Sequence, residues 1–274
     1  MNSRHGQDES RKWYSVRWAD FKLCCRRLQD VSTQHPRIPF WLYALYRFAL
    51  AAYFFALLIT YVVLAAKTLD PRLSIYFEAW TFTAATCYVC FAFFNVVMDF
   101  VKRRKNIAFE DKFRYQIQWF LFNITATPSF IVSIFDCIYS TWENVVTLHS
   151  VGTHLLPTII CLIESFFTLI VVRFVHVVYP LSLLIMYLFF AVMYWVAGGT
   201  DPFGNPFIYF VLDFENYPGI AVATALVVSF AMLLFQAILK GLYVLRVRCM
   251  GGRRTEDVLA TEEVAAVELE MENA

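Results

Sequence analysis

The chain has 274 residues, of which 59% are hydrophobic, 18% are aromatic and 16% are charged. Soluble domains carry about 45–50% apolar and about 25% charged residues, so one soluble core could not hide this many apolar side chains. The 23 Lys and Arg nearly balance the 22 Asp and Glu, and a net charge of +1 excludes the strongly basic field of a nucleic-acid-binding protein. The composition predicts an integral membrane protein.

Six apolar segments are long enough to cross the roughly 30 Å hydrocarbon core of a bilayer as helices. In chain order they are Phe40–Ala66, Phe77–Val101, Gln118–Thr141, Val145–Val172, Val177–Gly198 and Tyr217–Leu245. The fourth is the least regular, because His154 and Pro157 interrupt its beginning. The predicted fold is all-α, a six-helix transmembrane bundle.

Three regions follow from this pattern: a basic N-terminal arm (1–39), a six-span membrane domain (40–246) and an acidic tail (247–274) that is expected to be disordered. The connections on one side hold nearly all Lys and Arg. Only Lys67 and Arg72 fall on the other side, and Arg47 lies within a span. Since cytoplasmic connections are rich in Lys and Arg, both termini are predicted to be cytoplasmic. The polar stretch before Phe40 predicts a first span that acts as a signal anchor.

Charged side chains inside a bilayer are costly, so each is a candidate for function. Six lie within the spans or toward their cytoplasmic ends: Arg47, Asp99, Glu164, Arg173, His176 and Lys240. Asp99 and Arg173 are close enough to the interface to reach water. Arg47 is expected to pair with Asp99 or Glu164. Structural pairing is the main prediction for this set, and a proton or ion path through Glu164 is the weaker alternative.

A second polar layer is predicted at the exoplasmic ends of the spans. Thr81 lies near the start of the second span, Asp136 near the end of the third and His154 near the start of the fourth. A hydroxyl, an imidazole and a carboxylate are the set that nucleophilic catalysis uses, so these three are the candidate catalytic residues. The alternative is structural, with the threonine bonded to its own backbone and the histidine partnered near the interface. No metal-binding or cofactor-binding motif accompanies them.

The connection Gly198–Pro218 is rich in turn-forming and aromatic residues. Its aromatic rings suit the headgroup region, where Trp and Tyr are enriched. A structured lid over the exoplasmic polar layer is the functional interpretation, and its candidate residues are Asp201, Tyr209 and Asp213.

Several residues in the C-terminal half resemble the signature of the rolling stone family. They are Arg173-x-x-His176-x-x-Tyr179-Pro180, then Tyr194, Gly198-Gly199 and Ile208-Tyr209-x-x-Leu212-Asp213-Phe214. The resemblance covers about Trp41 to Arg246. It implies a multi-pass membrane protein associated with myoblast fusion, related to the androgen-induced-gene family of intramembrane fatty-acid-ester hydrolases.

In those hydrolases a threonine is the nucleophile and a histidine assists it. Carried over, these roles fall on Thr81 within Trp80-Thr81-Phe82 and on His154, ten residues before Glu164. The resemblance therefore implies either a Thr/His lipid-ester hydrolase or a non-catalytic protein of cell–cell fusion or adhesion. The expected partners are membrane lipids and, for the enzyme, a fatty-acyl ester, in the plasma membrane or the endoplasmic reticulum. No nucleic acid or cofactor is expected, and protein partners stay open.

Overall fold

The structure of the chain is a computed structural model, and it describes residues 39–68, 71–105, 112–143, 151–168 and 170–250. Within these ranges lie six helices: α1 (Phe40–Thr68), α2 (Phe77–Arg104), α3 (Lys112–Glu143), α4 (Leu156–Phe167), α5 (Val178–Val196) and α6 (Pro218–Met250). All but α4 are long and apolar enough to cross a membrane. The predicted all-α membrane bundle is confirmed.

The fourth helix is shorter than predicted. A π-helical turn, Val151–Leu155, leads into α4, which ends at Phe167. Thr168 is extended, with φ −107° and ψ 166°, and the described residues up to Arg173 are not helical. The predicted end at Val172 is therefore wrong. The physical reason is that side chains of α3 and α6 hydrogen-bond the backbone of this segment, as described below.

The two predicted tails lie largely outside the described residues, which begin at 39 and end at 250. Helix α6 continues to Met250, past the predicted boundary of the membrane domain at 246. Helix α3 begins at Lys112, before the predicted start at Gln118. Both differences arise because charged first and last turns lower the local hydropathy without ending the helix.

Helix α3 lies at the centre of the bundle and contacts α2, α4, α5 and α6, while α1 packs on α2. One group of buried side chains, including Phe54, Trp119 and Phe122, joins α1 to α4 and reaches α6. A second group, including Tyr187 and Met232, joins α5, α6 and the loop between them to α2 and α3. Large apolar side chains such as Phe189 and Phe230 remain exposed on the outside. In a bilayer this surface faces the lipid.

The end of α5 directs the chain into the loop above the bundle. Gly198, with φ +74°, donates its N–H to the carbonyl of Trp195, and Gly199 donates to that of Tyr194. This pair of bonds is the Schellman motif, which requires a left-handed residue directly after the helix. A Cβ at Gly199 would lie 2.5 Å from the Tyr194 ring, so this close approach also requires glycine.

Candidate functional site

The end of the bundle that carries Glu78 and His154, called the Glu78 end here, collects the predicted catalytic residues. His154 lies in the π-helical turn before α4. Pro157 follows it closely and has no N–H to donate to the preceding turn, so the regular α-helical ladder is interrupted there. Single π turns occur frequently at functional sites. The local sequence therefore gives His154 an irregular backbone that a plain helix would not provide.

Two side chains of α3 hold the turn of His154. Asp136 places Oδ1 2.8 Å from Nδ1 of the His154 ring. Ser133, three residues earlier on the same face of α3, donates its hydroxyl to the carbonyl of His154 at 2.7 Å, and its oxygen lies 2.6 Å from Oγ1 of Thr158. The side chains of His154 and Asp136 stay 21% and 16% exposed. The structure thus brings these two predicted residues into contact.

Glu78 and Tyr209 add a carboxylate and a hydroxyl to the Glu78 end. The Tyr209 hydroxyl donates to Oε2 of Glu78 at 3.0 Å and accepts the N–H of Phe77 at 2.9 Å, so a loop residue caps the start of α2. Glu78 also interacts electrostatically with His154 and Asp136. Burial, together with the nearby Glu78 carboxylate, raises the pKa of Tyr209 well above its usual value. The hydroxyl therefore stays protonated and able to donate.

Thr81 lies one turn after Glu78 on α2 and is buried. Its hydroxyl donates to the carbonyl of Glu78 at 2.9 Å, which is the contact that the structural alternative predicts. Helix α2 packs against the π-helical turn of His154, so the predicted nucleophile and base belong to adjoining elements. Thr83 is exposed and bonds the carbonyl of Ala79 at 2.7 Å. The catalytic role of Thr81 stays a prediction.

Two aspartates order the loop between α5 and α6. The Asp201 carboxylate accepts two backbone N–H groups and the side-chain amide of Asn205 at 2.8–2.9 Å. Asp213 likewise accepts two backbone N–H groups and the amide of Asn216 at 2.9–3.1 Å. Burial alone would raise the pKa of Asp201, but the hydrogen bonds outweigh it, and the pKa of each aspartate is lowered. Arg72 donates to the carbonyl of Asp201 at 2.8 Å and ties the loop to the turn before α2.

A buried ion pair joins α1 to α4 below the Glu78 end. The two Nη atoms of Arg47 each lie 2.7 Å from one carboxylate oxygen of Glu164. Tyr46 and Tyr88 donate their hydroxyls to the same carboxylate at 2.9 Å. Nε and Nη2 of Arg47 donate to the hydroxyl of Tyr43 at 3.0 and 2.8 Å. Of the two predicted partners of Arg47, the one that forms the ion pair is Glu164.

Asp99 does not pair with Arg47, the partner that the sequence suggested as one of two options. It pairs with Arg114 of α3, and the hydroxyl of Tyr115 donates to the same carboxylate oxygen at 2.7 Å. Asp99 and Arg114 are both buried, so the expectation that Asp99 reaches water is wrong. The reason is the early start of α3, which moves Arg114 from the connection into a helix opposite α2.

Arg173 and His176 both pack against the indole ring of Trp119. The Arg173 guanidinium lies 5.6 Å from the centre of the Trp119 ring, and the fully buried His176 ring lies 5.0 Å from it. Tyr179 also lies beside His176, at 5.5 Å between ring centres. These residues belong to the Arg173-x-x-His176-x-x-Tyr179-Pro180 motif, which therefore holds the start of α5 against α3. Among the described residues, no group of three or more His, Cys, Asp and Glu side chains could hold a metal ion.

Sequence reasoning missed the residues that hold the non-helical segment after α4. Trp119 donates its indole N–H to the carbonyl of Val171 at 2.9 Å, and Gln236 donates its amide to that of Arg173 at 2.8 Å. Arg246 donates to the carbonyls of Ser165, Thr168 and Ile170. The one sign of these donors in the sequence was Gln236, a polar residue inside an apolar span. The sequence alone did not indicate which group it would bond.

An all-helical bundle with five helices able to cross a membrane, and with ion pairs buried between its helices, defines a multi-pass integral membrane protein. The family model described as "Protein rolling stone" matches residues 19–265. The chain belongs to the rolling stone family. It is 26% identical over 218 residues to Protein rolling stone of Drosophila melanogaster, which covers 75% of this chain and 78% of that relative. No solved structure matches the chain significantly.

Proposed function

We propose that the protein hydrolyses a fatty-acyl ester of a membrane lipid, with His154 as the base, Asp136 as its orienting acid and Thr81 as the nucleophile. The observation that carries the proposal is the 2.8 Å contact between Nδ1 of His154 and Oδ1 of Asp136. A carboxylate on one imidazole nitrogen orients the ring and stabilises the imidazolium that forms when the other nitrogen takes a proton. This contact, together with the Thr/His pattern of the androgen-induced-gene hydrolases to which the sequence is similar, supports this class of enzyme.

The reaction would follow two steps. Oγ1 of Thr81 attacks the acyl carbon and transfers its proton to Nε2 of His154, which then gives that proton to the departing alcohol. Water next attacks the acyl-threonine and gives a proton to His154, which returns it to Oγ1 as the fatty acid leaves. Because Oγ1 now donates to the carbonyl of Glu78, the Thr81 hydroxyl must first break this hydrogen bond.

The surroundings of the acid–base pair favour a lipid as the substrate. Phe135 and Ile138 flank Asp136 on α3, and Val151 precedes His154. All three are exposed on the outside of the bundle. In a bilayer these side chains contact acyl chains, so an ester group near the headgroups could approach the partly exposed pair without leaving the membrane.

The test is labelling of membranes that contain the full chain with a fluorophosphonate probe, which reacts with activated hydroxyl nucleophiles. Thr81→Ala and His154→Ala are each expected to abolish labelling, and Asp136→Asn to slow it strongly. Thr83→Ala is the matched control, since it removes an exposed hydroxyl two residues away and should leave labelling unchanged. Labelling of the Thr81→Ala chain at the wild-type level would remove Thr81 as the nucleophile.

The alternative is a non-catalytic role in cell–cell fusion or adhesion. What favours it is the loop between α5 and α6, which is fixed by two aspartate turns and exposes Phe203, Phe210 and Tyr217. Rescue of a fusion-defective knock-out separates the two functions. Catalysis predicts that Thr81→Ala fails to rescue, whereas the alternative predicts that Thr81→Ala rescues and Phe203→Ser does not. Fluorescent tagging would distinguish the plasma membrane from the endoplasmic reticulum.

A further inference from the structure

Helix α4 ends inside the protein, where its last carbonyls need donors. The N–H of Thr168 returns to the carbonyl of Glu164 at 3.0 Å, and the backbone then becomes extended. The last carbonyls of any helix have no partner within it. At membrane depth, non-helical backbone is tolerated only where protein groups or water satisfy it.

Arg246 of α6 satisfies three carbonyls at once, one in the last turn of α4 and two in the residues that follow it. Nη1 donates to the carbonyls of Ser165, at 2.9 Å, and Thr168, and Nη2 donates to that of Ile170 at 3.0 Å. The Arg246 side chain is buried, with 6% of the residue exposed. We call the three carbonyls of Ser165, Thr168 and Ile170 the carbonyl cradle.

The end of the same segment has neutral donors. The carbonyls of Val171 and Arg173 accept from the indole of Trp119 and the amide of Gln236. The carbonyls of Thr168 and Ile170 thus share one charged donor, whereas those of Val171 and Arg173 have neutral ones. The described part of the segment therefore has one cationic donor, Arg246, and two uncharged donors, Trp119 and Gln236.

The charge of Arg246 has an unusual setting for a buried arginine. In the described part of the chain its guanidinium is bonded only to carbonyl oxygens, and the ring of Tyr243 lies 5.1 Å from it. A helix C-terminus carries partial negative charge, which favours a cation. Converging backbone carbonyls at the ends of unwound helices bind free cations in membrane proteins.

We propose that the carbonyl cradle is a cation-binding site whose resident cation is the guanidinium of Arg246, and that a chain without this side chain binds free guanidinium there. The site does not depend on the proposed hydrolase activity. Together with the Arg47–Glu164 pair, it means that arginines from α1 and α6 both hold the same end of α4. Helix α4 is then fixed in place by two cations rather than by apolar packing alone.

The test is thermal unfolding of the full chain in lipid nanodiscs, with low-millimolar guanidinium chloride compared with sodium chloride at the same concentration. Arg246→Ala is expected to lower Tm by roughly 10 °C, since three buried carbonyls lose charged donors. Guanidinium, but not sodium, should restore much of this loss in a saturable way. Arg248→Ala, an exposed arginine on the same helix, should change neither Tm nor the response.

Trp119→Phe is the second control, because it removes a neutral donor to the same segment and leaves the carbonyl cradle occupied by Arg246. It should lower Tm without any response to guanidinium. If Arg246→Ala responds no more than Trp119→Phe, the cradle does not bind a cation and the proposal fails. If the Arg246→Ala chain does not fold, the Tm values of Arg246→Lys and Arg246→Gln test the proposal instead. Greater stability of the lysine chain supports a cation site, and equal or greater stability of the glutamine chain overturns it.

Discussion

Arg47 of α1 and Glu164 of α4 form a two-pronged ion pair in which neither side chain is exposed to solvent. Three tyrosine hydroxyls complete the hydrogen bonding of both charges. Buried ion pairs of this kind add little net stability over apolar residues, because both charges lose their water. Their strong effect appears when one partner is removed, since the other is left buried without a counter-charge.

Removal of one member should therefore destabilise the bundle more than removal of both. Glu164→Leu is expected to lower the free energy of unfolding by about 3–5 kcal/mol. The double variant Arg47→Met with Glu164→Leu is expected to lose clearly less, because no unpaired charge remains. Thermal unfolding in nanodiscs compares the single variants Arg47→Met and Glu164→Leu with the double one. Losses that simply add would contradict the direct pairing.

The sequence predicted the helical bundle well because helix length and hydropathy are local properties. It also named the Arg47–Glu164 pair as one of two options, since an arginine at membrane depth requires an acid. It could not predict the end of α4. The apolar residues around Ile170 have the hydropathy of a helix, and donors some 50 to 80 residues away in sequence make the non-helical backbone of the described residues acceptable there.

The contact between Asp136 and His154 followed from their similar predicted depth, although its closeness depended on the π-helical turn. Neither that turn nor the support from Ser133 is visible in a hydropathy pattern. The pairing of Asp99 with Arg114 was missed for a related reason. A charged first turn hides the true start of α3, so Arg114 read as part of a connection.

Ser133 offers a separate test of how the His154 turn is held. Ser133→Ala removes the hydroxyl bonded to the carbonyl of His154 and to Thr158. We expect a loss of about 1–2 kcal/mol in stability and, if His154 is the base, probe labelling that is several-fold slower. Ser133→Thr keeps the hydroxyl and should restore most of the rate.

Ser129→Ala is the matched control, because that hydroxyl bonds only within α3, to the carbonyl of Thr125 at 2.7 Å. It should leave labelling unchanged. Equal slowing of labelling by Ser129→Ala and Ser133→Ala would show that the effect is a general destabilisation of α3. The turn of His154 would then not depend on Ser133 in particular.

The loop between α5 and α6 should loosen in acid. The pKa of Asp201 lies below its usual value of 3.8 in the folded chain. Its carboxylate therefore stabilises the turn at pH values above that usual value, and this contribution is lost as the pH falls through the lowered pKa. Asp201→Asn imitates the protonated form and should speed hydrogen exchange of the Phe203 and Asn205 amides at neutral pH.

Asp213→Asn is the control for that measurement. It removes the negative charge from the acceptor of the Glu215 and Asn216 N–H groups, replaces one carboxylate oxygen by an NH₂ group, and should speed exchange at those positions instead. Exchange at Phe203 and Asn205 that is the same in Asp201→Asn and in the parent chain would show that the charge does not hold the turn.

The cytoplasmic location of both termini is still a prediction, and two exposed positions test it. Phe203 lies in the loop at the Glu78 end and is 87% exposed, while Arg248 is exposed near the opposite end of α6. The positive-inside pattern predicts that Arg248 faces the cytoplasm and Phe203 the exoplasmic side. In cells with only the plasma membrane opened by digitonin, an impermeant maleimide should label Arg248→Cys wherever the protein resides.

Phe203→Cys should be labelled in intact cells if the protein is in the plasma membrane, and only after full permeabilisation if it is in the endoplasmic reticulum. The parent chain, treated in the same way, measures labelling of the natural cysteines. Labelling of Arg248→Cys in intact cells would reverse the predicted orientation. The Glu78 end, with His154 and Asp136, would then face the cytoplasm, and any ester substrate would have to come from the cytoplasmic leaflet.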